Sequence, residues 1–68
     1  MAKYYVNDRA QNNGDHEVHK EGCIYLPMIV SKTNLGDHYF CDSAVRKAKT
    51  IYSQSNGCYH CSYSCHTS

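Results

Sequence analysis

Cys58-Tyr59-His60-Cys61-Ser62-Tyr63-Ser64-Cys65-His66 places five thiol or imidazole side chains in nine consecutive residues near the C-terminus. So dense a run of soft and borderline donors limits what the chain can fold around. The residues must either converge on a metal ion, pair as disulfides, or be buried as weakly polar thiols. The limit matters because the whole chain has 68 residues. A domain of that size buries only about 60% of the surface exposed when unfolded, so its core alone is marginal, and small domains usually add a metal, a disulfide or a partner. The sequence reads as one small domain, residues 1–68.

The remaining composition excludes more than it selects. A formal net charge of +1 leaves no electrostatic footprint for nucleic acid or an anionic membrane surface. No apolar run approaches the roughly 20 residues of a membrane span, and the Met1-Ala-Lys-Tyr-Tyr5 start lacks the apolar stretch of a secretory leader. The expectation is a cytoplasmic protein. In that compartment clustered cysteines point to metal or redox chemistry before permanent disulfides.

Along the chain, β-forming Tyr4, Tyr5 and Val6 precede the turn-rich Gln11-Asn-Asn-Gly-Asp15, after which an extended pattern resumes. This predicts a β-hairpin over about 3–21 with its turn near Asn13 and Gly14. The strand period of two sets His16 and Val18 on one face and Glu17, His19 and Glu21 on the other, so His16 and His19 diverge and are not read as a metal pair. Cys23-Ile-Tyr-Leu26-Pro-Met-Ile-Val30 is the most apolar stretch. Pro27 makes it a loop or an edge segment. The scarcity of other apolar groups favours packing it into the core. The alternative is a homodimer contact between Leu26 and Val30. A short third strand is expected over 35–40. A helix follows over about 43–52, with Ala44, Val45, Ala48, Ile51 and Tyr52 on one stripe and Arg46, Lys47 and Lys49 opposite. Asn56 and Gly57 read as the turn beyond it. The fold class is therefore α+β: a hairpin and a third strand, one helix packed on the sheet, and the tail folded back toward Cys23.

The tail carries the candidate chemistry. Cys58 and Cys61 follow a glycine turn and can aim two thiolates at one ion, with Cys65 as a third donor. His66 or Cys23 completes a tetrahedral set of the kind zinc prefers. A convincing zinc ribbon would show two separated ligand pairs, so a disulfide staple and buried free thiols stand beside the zinc reading. Two thiol-dependent alternatives also arise. Cys41, expected just before the helix with His38 nearby, has the setting of an activated nucleophile, and Cys58-x-x-Cys61 has the spacing of a redox motif. Paired carboxylates, a phosphate loop and a nucleophile elbow are absent from the sequence.

Gly14-Asp-His-Glu-Val-His19, Gly22-Cys23, Leu26-Pro27, Leu35-Gly36, Cys41, Ala44-Val45, Ala48-Lys49, Tyr52, and Asn56-Gly-Cys58 through Cys61 to Cys65-His-Thr67 together resemble a family of short uncharacterised bacterial proteins. The resemblance spans nearly the whole chain. It implies a stand-alone bacterial protein and carries no activity with it. The function expected from the residues is a non-enzymatic binding or structural module stapled by zinc.

Overall fold

The computed structural model describes residues 1–67. The predicted hairpin is formed by β1 (Ala2–Asn7) and β2 (His16–Lys20), antiparallel with Tyr5 opposite His19 and Val6 opposite Val18. Its turn is held by Asn13, whose Oδ1 accepts from the Asp15 amide at 2.9 Å. β3 (Lys32–His38) adds to the outer edge of β1, antiparallel, and its register slips by one residue so that Leu35 bulges between Asn34 and Gly36. The extra residue is fully buried.

Two features depart from the expected α+β layout without changing its class. First, the tail contributes a fourth strand among the described residues: β4 (Ser55–Gly57) runs parallel to β2 and completes a sheet ordered β3-β1-β2-β4. The sequence there reads as a turn because Ser, Asn and Gly have no strand preference of their own. Backbone pairing to the open edge of β2 overrides it. Second, the helix α1 spans Cys41–Ala48, not 43–52. It buries Cys41, Ala44 and Ala48 against Tyr4, Val6, Val18 and Leu35. Past Ala48 the chain tightens into turns, leaving Ile51 about half exposed at 47%. Tyr52 swings down so that its hydroxyl donates to Asp8 Oδ1 at 3.0 Å and its ring stacks on His16.

The apolar run was expected in the core, and that expectation is overturned. Ile24, Met28 and Val30 are 70%, 74% and 92% exposed, and within the run only Cys23 is fully buried. The loop is braced by its own backbone through a 3-10 turn at Leu26–Met28, and of its aliphatic side chains only Leu26 and Ile29 are half-buried. Its anchor is at its beginning, where the Cys23 amide donates to the Lys20 carbonyl and the Leu26 amide to the Cys23 carbonyl. Among the described residues no helix is long and apolar enough to cross a membrane.

Candidate metal centre

Strand β2 ends with Val18 facing the helix and His19 facing the other side of the sheet, as its pleat requires. His19 is nonetheless only 2% exposed. What covers it is sulfur. Gly22, at φ 85°, takes a left-handed conformation that other residues adopt only with strain. The turn built there folds Cys23 back until its Sγ lies 3.6 Å from His19 Nδ1. From the other side, β4 delivers the tail along the edge of β2. The Cys58 amide continues the pairing by donating to the Val18 carbonyl at 2.9 Å, and the Ser62 amide then closes a turn onto the Cys58 carbonyl. That turn folds Cys61 back toward Cys58 and sets Cys61 Sγ 3.8 Å from His19 Nδ1. The donor atoms of His19, Cys23, Cys58 and Cys61 all lie within 4.8 Å of one another.

Burial sets the electrostatics of this group. It pushes the Cys61 thiol up to about 12, with the neighbouring Cys23 and Cys58 adding to the rise and the Lys20 amide, which donates to Cys61 Sγ at 3.3 Å, opposing it. Burial also lowers His19, against the pull of Glu17, so the imidazole is held neutral with a lone pair available. Burial thus favours the thiol form of Cys61 beside a neutral His19 ring. A divalent ion would reverse the balance, because a coordinating thiol is deprotonated outright.

Three residues singled out in the sequence, Cys23, Cys58 and Cys61, meet here. Two others do not. Cys65 pairs with Cys41 in a disulfide that joins the start of α1 to the 3-10 turn Tyr63–Cys65, with Cα atoms 6.2 Å apart. His66 donates from Nδ1 to the Gly57 carbonyl at 3.0 Å. Both sit beyond the turn that closes the Cys58 and Cys61 pair, so their side chains leave the cluster. The disulfide also removes the Cys41 thiol from consideration as a nucleophile, and His38 is occupied by the Leu35 carbonyl and Ser43 Oγ, each at 2.8 Å. His19 is the donor that sequence reasoning set aside. His16 does lie on the other face of β2, stacked on Tyr52, so the partners of His19 come from elsewhere in the chain. The informative spacing is His19-x-x-x-Cys23 across a glycine turn, which forms a second donor pair opposite Cys58-x-x-Cys61.

Comparison with known proteins adds no further constraint: no family model, curated protein or solved structure matches the chain.

Proposed function

We propose that the protein is a small non-enzymatic binding or structural module whose fold is closed by one zinc ion on His19 Nδ1 and the sulfurs of Cys23, Cys58 and Cys61. The carrying observation is the spacing of the donors. Tetrahedral zinc with Zn–S of about 2.3 Å and Zn–N of about 2.0 Å puts the nitrogen about 3.5 Å from each sulfur. His19 Nδ1 lies 3.6 Å and 3.8 Å from two of them. Three thiolates with one imidazole form a closed set, which suits a structural ion and leaves no open position for a substrate. The competing thiol-dependent reading needs a stabilised thiolate within reach of solvent. Cys58 is 2% exposed and Cys61 is pushed the opposite way by burial, so the same geometry argues against it.

Native mass spectrometry of protein purified without chelator tests the proposal. The expected mass includes one zinc and one disulfide, and Cys58→Ser or His19→Ala loses the metal while retaining the disulfide. A folded, metal-free protein whose melting temperature ignores chelators would refute it, and one rapidly alkylated thiol in that protein would favour the redox alternative.

A further inference from the structure

The pleat that aims His19 at the sulfurs puts Glu17, two residues earlier on β2, on the same face of the sheet. Its Oε1 lies 3.5 Å from His19 Nε2, the ring nitrogen that points away from the cluster. The Glu17 side chain is 21% exposed against 2% for His19, and it makes no other ion pair among the described residues. A carboxylate oxygen in that position is an acceptor, which favours the proton on the ring nitrogen that faces it. That leaves the lone pair on Nδ1, directed at Cys23 and Cys61. A metal-bound histidine whose other nitrogen donates to a carboxylate is held in one tautomer and one ring orientation, and is made a more basic ligand.

Building on the zinc reading above, we propose that Glu17 is the positioning residue of the metal centre, fixing His19 in the Nε2–H tautomer with Nδ1 as the metal-binding atom. β2 then supplies three parts of the centre: His19 as ligand, Glu17 as its orienting carboxylate, and the Lys20 amide as a donor to the Cys61 sulfur. No part of the helix is needed.

Two measurements on the full chain test this. Long-range nitrogen–proton correlation on the zinc-loaded wild type should show His19 protonated at Nε2 and metallated at Nδ1. In competition with a chromophoric chelator, Glu17→Ala should weaken zinc binding by roughly 10- to 100-fold. Glu17→Gln keeps an oxygen that accepts from Nε2–H and should fall between Ala and wild type. A side chain that merely filled space would not separate Gln from Ala in this way. Zinc bound through Nε2 in the wild type would overturn the assignment together with the Nδ1 ligation proposed above, whereas a Glu17→Ala affinity within twofold of wild type would overturn the role of Glu17 alone and leave the zinc reading intact. Wild-type protein that takes up no zinc overturns both. The nitrogen assignment requires no variant, so a poorly folding substitution cannot mask the answer.

Discussion

Asp8 receives three hydroxyls: Ser31 Oγ on Oδ2 at 2.6 Å, Thr33 Oγ1 on Oδ1 at 2.6 Å, and the Tyr52 hydroxyl on Oδ1 at 3.0 Å. It ties the end of β1 to the start of β3 and to the segment that follows α1. The bonds from Ser31 and Thr33 hold its carboxyl below the usual range, against a smaller opposing effect of burial, with Tyr52 and His16 assisting. A depressed acid contributes stability that is complete above its unfolded value near 4 and is lost as pH falls through the folded value. Asp8→Asn should therefore destabilise the protein at neutral pH, and the gap from wild type should close on acidification below about pH 4. Release of the proposed metal on acidification would be common to both proteins, so the difference between their denaturation curves isolates Asp8. A gap that stays constant with pH would show that the carboxylate charge is not what the hydroxyls recognise. Gly57 makes a second argument at this scale. A Cβ there would sit 2.7 Å from Cys65 Cβ and 2.8 Å from the Ser62 carbonyl oxygen, so the tail turn can close only over a glycine. Gly57→Ala should cost about 1–3 kcal/mol by overpacking, read as a lowered denaturation midpoint. An unchanged midpoint would show that the tail can shift freely.

At the scale of elements, the helix shows what periodicity conveys and where it stops. The stripe correctly picked Ala44 and Ala48, both fully buried, because side chains three to four residues apart share a face. It could not see that the chain leaves the helix after Ala48, since the competing partner of Tyr52 is Asp8, 44 residues away. The consequence is measurable. Ile51→Ala should fall within about 0.5 kcal/mol of wild type, as surface changes do. Ala44→Leu should cost about 1–3 kcal/mol, because the helix sits close enough to the sheet that only a small side chain fits. The reverse ranking in urea titrations would mean that the helix continues to residue 52. The hairpin was legible for a related reason, its turn chemistry and alternation being local. β4 was not, because its pairing partner is β2 and its own residues carry no strand signal. The apolar run misled because composition reports what a segment could bury and says nothing of whether its backbone lets it do so.

For the molecule as a whole, the cysteines divide between a disulfide and a His/Cys donor cluster that share one tail. Sequence spacing exposed Cys58 and Cys61 as a pair but could not assign Cys65, because its partner Cys41 lies 24 residues away and only folding sets the distance. The His/Cys donor cluster meets the tail at Cys58 and Cys61, and the disulfide grips it at Cys65, with the Cys65 amide donating to the Ser62 carbonyl between them. Closing a loop of this length is worth about 3 kcal/mol in the chain-entropy picture, and a structural ion contributes folding free energy of its own because the unfolded chain has no preformed site. The two contributions should not be independent. With zinc in place, Cys58 and Cys61 would already pin the tail, so replacing both disulfide partners by Ala should cost less than it does after chelation, when β4 is held against β2 only by backbone pairing and by the bonds of Gln54 and Asn56 to Asp15. The expected coupling is about 0.5–3 kcal/mol, the range for sites that share a structural element. Thermal or urea unfolding of wild type and the Cys41→Ala, Cys65→Ala double variant, each with and without chelator, measures it directly. Additivity within about 0.5 kcal/mol would show that the staples act on separate parts of the fold; a larger loss in the chelated variant would identify the tail as the segment on which both converge.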